Sequence, residues 1–259
     1  DRGYQAQYYS ERMTIADGYH NSAEEVFPLA YALTAPSPIN AYQMMVKCLL
    51  RQQSAGFFET KGARYPIYPN PFPEMIGTMT PEQIQQFIDR LEKPKAAWSH
   101  ELPEQYLVLT WDGLQKAHNI LTYGSWNFVK GAAGPGHLMV IRERAQFDMA
   151  QGTMTVRNRT YPLHSKQVVE GNTTRQFTWS DKHPWHAVQR VEDKRVIYLM
   201  DQAAYQTMMV QMLLAKPQQF APFYELVIDR FPFVRIYRVN PILTQLPPGS
   251  ILPAGGHEG

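Results

Sequence analysis

The side chains with the widest chemical range in this sequence are its eight histidines. The two histidines closest to each other in the sequence are His183 and His186, and a proline lies between them. The sequence offers neither a companion cysteine nor a third clear metal ligand for this pair. Because zinc sites combine three or four ligands at recurring spacings, this pair predicts a polar loop and no metal site. The Gly-x-Ser-x-Gly pattern of hydrolases and the glycine-rich patterns of nucleotide-binding loops are also missing from the sequence.

The stretch EGNTT at 170–174 contains an Asn-x-Thr sequence, which is the acceptor pattern of N-glycosylation. Glycine followed by asparagine is also a favoured turn pair. Two interpretations therefore stay open: Asn172 is a glycosylation site on an exposed turn, or Gly171 and Asn172 only form that turn. NRT at 158–160 is a second and weaker match.

Gly113, Lys116 and Ile120 follow one another at intervals of three and four residues. In a helix this spacing puts all three positions near one face. Taken alone, these residues predict a solvated lysine beside a core isoleucine, because lysine side chains are mostly exposed.

A series of short motifs runs along the chain at 1–4 (DRGY), 8–10 (YYS), 14–18 (TIADG), 27–33 (FPLAYAL), 200–201 (MD), 210–212 (VQM) and 226–228 (LVI). Their order and spacing resemble those of the bacterial single-subunit oligosaccharyltransferases of the PglB type, from Asp1 to about Val239. The periplasmic domain of that family opens with a Trp-Trp-Asp-x-Gly motif. The sequence is similar to that domain from the aspartate onward, so we expect it to be the C-terminal part of a longer membrane enzyme.

The resemblance implies which residues bind the acceptor. In the family the Trp-Trp-Asp motif binds the Ser or Thr two residues after the acceptor asparagine, and Asp1 would accept a hydrogen bond from that hydroxyl. Gly3 would permit the turn of the motif. Gly113, Lys116 and Ile120 fall where relatives carry Met-x-x-Ile-x-x-x-Val or Asp-x-x-Lys-x-x-x-Ile, a face that closes over the acceptor threonine methyl. Lys116 and Ile120 match the second pattern, whereas Gly113 departs from both.

The resemblance also implies the reaction, which transfers an oligosaccharide from a polyprenyl diphosphate carrier to the asparagine of Asn-x-Ser/Thr. The partners would be an acceptor polypeptide and lipid-linked oligosaccharide, at the periplasmic face of the bacterial inner membrane. A Mn or Mg ion would be held by carboxylates in the transmembrane part, outside this chain. We therefore expect the chain by itself to be inactive. Glu170, two residues before Asn172, matches an acidic position that some of these enzymes require.

A stand-alone extracytoplasmic module that binds carbohydrate or peptide is the rival interpretation. In that case Trp179 and Trp185 would belong to a sugar-stacking surface, although aromatic residues are more often part of a core. A membrane segment ending in Trp-Trp before Asp1 would favour the transferase, and an ordinary signal peptide would favour the module.

Composition narrows the class of protein. The 259 residues are 44% hydrophobic and 19% charged, which predicts a globular chain with a sizeable core. A net charge of +2 without clustered Lys and Arg argues against a nucleic-acid partner. The single cysteine, Cys48, lies in an apolar run and is predicted to be buried. No stretch approaches the roughly 18 consecutive apolar residues of a membrane span.

The helix and strand signals along the sequence predict an α+β fold with a mainly helical core and a small antiparallel, barrel-like β subdomain. We place the helical core at 1–133, the β-rich subdomain at 134–200, a completing helix and strand at 201–240, and a flexible tail at 241–259. The clearest helix begins at Thr80, where Gln83 completes a capping box. Asp201 is predicted to cap a last long helix through Leu214.

Overall fold

The computed structural model describes residues 23–49, 56–60, 63–67, 76–92, 105–192 and 196–240. The α-helices in these ranges are α1 (Ala23–Thr34), α2 (Pro38–Leu49), α3 (Pro81–Asp89), α4 (Ala117–Gly124), α5 (Gln202–Tyr205) and α6 (Met208–Leu214). Short 3-10 helices lie at Arg90–Glu92, Trp111–Lys116 and Pro217–Phe220. None of the helices in these ranges is long and apolar enough to cross a membrane.

The strands in the same ranges are β1 (Gly56–Thr60), β2 (Ala63–Ile67), β3 (Tyr106–Thr110), β4 (Trp126–Asn127), β5 (Ala132–Ala133), β6 (Leu138–Ile141), β7 (Ala145–Asp148), β8 (Thr153–Val156), β9 (Arg159–Glu170), β10 (Thr173–Thr178), β11 (Trp185–Arg190), β12 (Ile197–Asp201), β13 (Tyr224–Arg230) and β14 (Val234–Val239). The chain clusters into two compact units, residues 1–104 with 123–133 and 240–259, and residues 105–122 with 134–239. The domain boundaries predicted from the sequence stay a prediction, and the predicted tail lies outside the described residues.

In the first unit, α3 begins as the sequence predicts. The Thr80 hydroxyl accepts from the Gln83 backbone N–H at 3.4 Å, and the Gln83 side chain accepts from the Thr80 backbone N–H at 2.9 Å. This reciprocal pair satisfies two of the donors that a helix start leaves free. Ile84 and Ile88 are buried on the apolar side of the helix.

A close approach of two helices in the first unit fixes the end of α4. A Cβ atom on Gly124 would lie 2.3 Å from the Ala30 carbonyl oxygen and 2.2 Å from the Thr34 hydroxyl. Only glycine fits there without moving α1. Within the first unit, the last residue of α4 is therefore packed closely against α1.

The prediction of a mainly helical core is wrong. The first unit also contains the antiparallel pairs β1–β2 and β4–β5, and the fold as a whole is a mixture of helices and sheets. In the β1–β2 pair, Phe57 lies opposite Pro66. Proline cannot donate to a ladder, but it is tolerated in this two-stranded sheet, where every strand is an edge.

Seven strands of the second unit form one sheet in the order β6-β12-β11-β9-β8-β7, with β10 paired to β9. The two ends of this order, β6 and β7, are joined by the three residues 142–144. Such a link spans at most about 14 Å, so the sheet must curl back toward itself. The curled sheet is a half-barrel. Its buried core consists of Met154, Leu163, Ala187, Ile197 and Leu199. Partly buried side chains pack against this core, so that six strands contribute to the interior: Met139, Ile141, Ala145, Phe147, Val156, Tyr161 and Trp185.

The half-barrel agrees with the predicted barrel-like subdomain, but the sheet is neither small nor purely antiparallel. β9 and β11 run parallel, with Ala187 opposite Lys166. Parallel neighbours must be joined by a crossover, which here is provided by β10 and the loop after it. Local sequence patterns do not report such a pairing between distant segments, so the prediction missed it.

The predicted long helix after Asp201 is also corrected. Asp201 caps as expected, since its carboxylate accepts from the Ala204 backbone N–H at 2.8 Å. The helix breaks at Gln206 and Thr207 and resumes as α6. The Thr207 hydroxyl donates to the Ala204 carbonyl at 2.8 Å, so this threonine closes α5 and precedes α6.

Strands β13, β14 and β3 form a three-stranded sheet that holds α6. Its strand β3 leads directly into the 3-10 helix Trp111–Lys116. The buried Arg235 guanidinium donates to the carbonyls of Met212 at 3.2 Å and Ala215 at 2.7 Å. A cation is favourable at this end of a helix because it pairs with the free carbonyls. Alternate residues of β3 are exposed, including Val108, so this strand is half-buried.

Candidate functional site

The predicted acceptor face lies on the 3-10 helix Trp111–Lys116 and on α4, which follows it directly. β3 leads into this helical segment. The Thr110 hydroxyl accepts from the Gly113 backbone N–H at 3.2 Å and so caps the start. The Trp111 backbone N–H donates to the Phe233 carbonyl at 3.0 Å, which ties the same point to the turn between β13 and β14.

A stripe of residues next to this face is buried. Leu114, Ala117 and Leu121 recur at helical spacing and have 0%, 0% and 3% of their surface exposed. Trp111 packs edge-on against Tyr198 of β12, with ring centroids 5.5 Å apart. The burial of these residues sets the rotation of the segment and determines which residues face outward.

Gly113, Lys116 and Ile120 lie beside the buried stripe. Lys116 is exposed, and Gly113 and Ile120 are partly exposed. The first two belong to the 3-10 helix and Ile120 to α4. The structure therefore leaves this face accessible to a ligand, but contact with an acceptor stays a prediction.

The glycine at position 113 is not required by packing. A Cβ atom there would lie 3.5 Å from the Thr110 hydroxyl, which is an ordinary contact distance, and the backbone is not in the left-handed region. A side chain such as the Met or Asp of the family patterns would therefore fit. The departure at Gly113 changes the surface offered to a ligand and leaves the fold of the segment unaffected.

Positive charge borders this face. Arg142, in the link between β6 and β7, donates through Nη2 to the Gln115 side chain at 2.7 Å. Lys116 follows Gln115 in the sequence, and the side chains of Lys116 and Arg142 are both exposed. Among the described residues neither forms an ion pair with a carboxylate, so their charges are available to a ligand.

Asp1 and Gly3, the other two residues predicted to bind the acceptor, lie outside the described residues. Cys48 lies in α2, and its burial stays a prediction.

A buried polar cluster in the second unit was missed by sequence reasoning. His186 is 2% exposed, and its Nε2 faces the Gln202 side-chain oxygen at 2.5 Å. An amide oxygen only accepts, so Nε2 carries the proton and Nδ1 accepts from the Ser165 hydroxyl at 2.8 Å. The Tyr205 ring stacks on the imidazole, with centroids 4.0 Å apart and planes parallel within 1°.

The environment of His186 keeps its imidazole neutral. Burial, with a smaller effect from nearby His164, lowers the pKa of His186 to about 4. The side chain that was predicted to lie in a polar loop is therefore part of β11 and of the core. The run WHAVQR, with its tryptophan and β-branched valine, was the available signal for a strand.

The two histidines considered for a metal site do not converge. His183 Nδ1 lies 3.0 Å from the Leu163 carbonyl oxygen, whereas His186 is held by Ser165 and Gln202. In the described ranges, no three side chains of His, Cys, Asp or Glu come together as a metal ligand set.

The two tryptophans of the rival interpretation pack against the half-barrel. Trp179 covers Gly152, where a Cβ atom would lie 2.4 Å from its ring, and its indole N–H donates to the Met149 carbonyl at 3.0 Å. Trp185 packs edge-on against Tyr161 with centroids 5.7 Å apart. Both rings pack against the buried core of the half-barrel and are partly exposed.

Comparison with known proteins supports the resemblance seen in the motifs. The family model of the STT3/PglB/AglB core domain matches residues 1–130, which is half of the chain. Among solved structures, the C-terminal domain of PglB from C. jejuni is similar in fold, with a TM-score of 0.60 over 93% of this chain and 90% of that one, at 14% sequence identity. A search of curated proteins found no match. On the strength of the family match, the chain belongs to the STT3/PglB/AglB family of oligosaccharyltransferases.

Proposed function

We propose that this chain is the acceptor-recognition part of an oligosaccharyltransferase that glycosylates the asparagine of Asn-x-Ser/Thr sequences. The observation that carries the proposal is the family match over residues 1–130. That range contains both predicted parts of the acceptor site, namely Asp1 with Gly3 and the face formed by Gly113, Lys116 and Ile120. The fold similarity to the PglB C-terminal domain supports the same assignment.

The proposed division of labour follows from the chemistry of the acceptor. The Asp1 carboxylate accepts a hydrogen bond from the Ser or Thr hydroxyl, and Gly3 lets the backbone turn beside it. Ile120 and the aliphatic stem of Lys116 cover the threonine methyl. The exposure of Lys116 and the partial exposure of Ile120 support this role, because a ligand can reach both. Apolar contact with a single methyl contributes about 0.8 kcal/mol.

We propose that the remainder of the reaction belongs to a membrane part of the same enzyme, at the periplasmic face of a bacterial inner membrane. The family's Mn or Mg ion would polarise the acceptor there. In the described part of this chain no three candidate ligands converge. We therefore assign no step of the reaction to a metal bound by these residues. The lipid-linked oligosaccharide would likewise be bound by the membrane part.

The rival function, a stand-alone carbohydrate- or peptide-binding module, loses its specific support in the structure. Trp179 and Trp185 pack against the half-barrel and are only partly exposed, which favours a packing role over a sugar-stacking surface. No other described feature favours that function over the transferase.

The experiment that tests the proposed function compares the chain with the intact membrane enzyme. Each is incubated with lipid-linked oligosaccharide, Mn²⁺ and an Asn-x-Thr peptide, and glycopeptide is measured by mass spectrometry. We expect product from the intact enzyme and none from the chain alone, because we place the donor and metal sites in the membrane part. An Asn-x-Ala peptide is the matched control and should stay unmodified. Turnover by the chain alone would contradict the proposed division of labour.

A further inference from the structure

Two Asn-x-Thr sequences lie in the described part of the chain, and the structure makes them unequal. One crosses the turn between β8 and β9 with Asn158 as its asparagine, and the other crosses the turn between β9 and β10 with Asn172. We propose that Asn172 is an N-glycosylation site of the folded protein and that Asn158 is not.

Asn172 and the threonine that completes its sequence are both open to a modifying enzyme. Asn172 and Thr174 are exposed, and neither side chain makes a hydrogen bond to another described residue. All six residues of β10 are exposed. Among the described strands, β10 pairs with β9 alone, so its outer edge faces solvent. A transferase can therefore approach the carboxamide and the hydroxyl from the same side of the sheet.

Hydrogen bonds of the residues on either side of Asn172 hold the turn, and Asn172 itself is exposed. Gly171 adopts a φ of +55° and has open space where a side chain would stand. Its backbone N–H donates to the Glu192 carboxylate at 3.0 Å, and the Thr173 hydroxyl donates to the Glu170 carbonyl at 2.8 Å. These bonds use the groups beside Asn172 and leave its carboxamide free.

The Asn158 sequence differs in the group that a transferase must bind. Its threonine, Thr160, shares a hydrogen bond of 3.0 Å with the hydroxyl of Thr155, directly opposite in the β8–β9 pair. Both asparagines are exposed, so exposure does not separate them. The hydroxyl of Thr160 is already used within the fold, and its binding by a transferase has to break that bond.

The reaction at Asn172 needs a polyprenyl-diphosphate-linked oligosaccharide as donor. The carboxamide nitrogen forms a bond to C1 of the first sugar, and the bond from C1 to the diphosphate oxygen breaks. The diphosphate leaves with the bonding electron pair, and the nitrogen loses one proton to a base of the transferase. No oxidant or reductant is required.

The test uses the whole folded chain as substrate for a separate, purified oligosaccharyltransferase with its lipid-linked oligosaccharide and Mn²⁺. Peptide mapping by mass spectrometry then gives the occupancy of each site. We expect initial modification of Asn172 to exceed that of Asn158 by about tenfold, the equivalent of one hydrogen bond. Asn172→Gln should remove most of the modification, and Asn158→Gln should leave it nearly unchanged.

Thr155→Ala provides the matched control, because it frees the Thr160 hydroxyl without changing either sequence. This variant should raise the occupancy of Asn158 and leave that of Asn172 as it was. Equal occupancy at the two sites, or preference for Asn158, would overturn the proposal. It is also overturned if a peptide spanning 170–174 is modified while Asn172 of the folded chain is not. Because the transferase is a separate protein, these results do not depend on the function proposed for this chain.

Discussion

Replacing Asp1 with alanine in the intact membrane enzyme should raise the KM for an acceptor peptide by about ten- to a hundred-fold. The substitution removes a charge-assisted hydrogen bond to the substrate hydroxyl, which contributes about 1.5–3 kcal/mol. Asp1→Asn keeps a neutral acceptor oxygen and should lie between the wild type and the alanine variant. The measurement is the dependence of initial rate on peptide concentration at saturating lipid-linked oligosaccharide.

Arg2→Ala is the matched control for Asp1, since it is the neighbouring residue and no acceptor contact is predicted for it. Its peptide KM should stay within about twofold of the wild type. An unchanged KM in Asp1→Ala would remove this carboxylate from the acceptor site. Equal losses in Asp1→Ala and Arg2→Ala would mean that the start of the chain acts through its folding alone.

Acidification should destabilise the folded chain through His186. Burial lowers the pKa of this imidazole to about 4, below the ordinary value of 6.5. Between those two values the unfolded chain binds a proton that the folded chain does not, so stability falls as the pH falls from 6.5 to 4. The loss contributed by His186 approaches about 3 kcal/mol at the lower end of this window. Urea denaturation at several pH values measures it.

His186→Phe separates this effect from the titration of other groups. The phenyl ring keeps the stacking on Tyr205, but it leaves Ser165 and Gln202 without their partner, so stability at pH 7 should fall by about 1–3 kcal/mol. Between pH 6.5 and 4 the variant should show a shallower loss than the wild type, by about one proton. Asn119→Ala, at an exposed position without a titratable side chain, should keep the wild-type slope. The same slope in His186→Phe and the wild type would contradict the account.

Local signals in the sequence predicted much of the fold. Thr80 and Gln83 specify the start of α3 because the groups that satisfy each other are three residues apart. Asp201 likewise caps α5. Strands β6 to β11 lie within 134–200, the segment predicted to be rich in β-strands. Each of these features depends on residues that are neighbours along the chain.

Features that depend on distant residues were missed. The longest strand, β9, pairs with β8, β10 and β11, and its parallel pairing with β11 brings Ser165 beside His186. No local pattern contains that partnership, so His186 was predicted to lie in a polar loop. The break between α5 and α6 depends on one threonine hydroxyl, and helical periodicity continues across it.

The candidate site was only partly accessible to sequence reasoning. The spacing of Gly113, Lys116 and Ile120 predicted a shared helical face, and the structure shows where that face lies because it shows the buried stripe beside it. The absence of a packing requirement at Gly113 could not be inferred, since glycine often marks a constrained backbone. The contact between Arg142 and Gln115 joins segments that the sequence keeps apart.

The most direct test of acceptor recognition by this chain is the ratio of kcat/KM for an Asn-x-Thr peptide to that for the matching Asn-x-Ser peptide in the intact enzyme. Ile120→Ala should lower this ratio a few-fold, since the threonine methyl then loses a contact of about 0.8 kcal/mol. Lys116→Met keeps an apolar stem and Asn119→Ala changes an exposed neighbour, so both should keep the wild-type ratio. A fall in activity on both peptides by the same factor in Ile120→Ala, with the ratio unchanged, would show that Ile120 only packs the helix and would contradict acceptor recognition at this face.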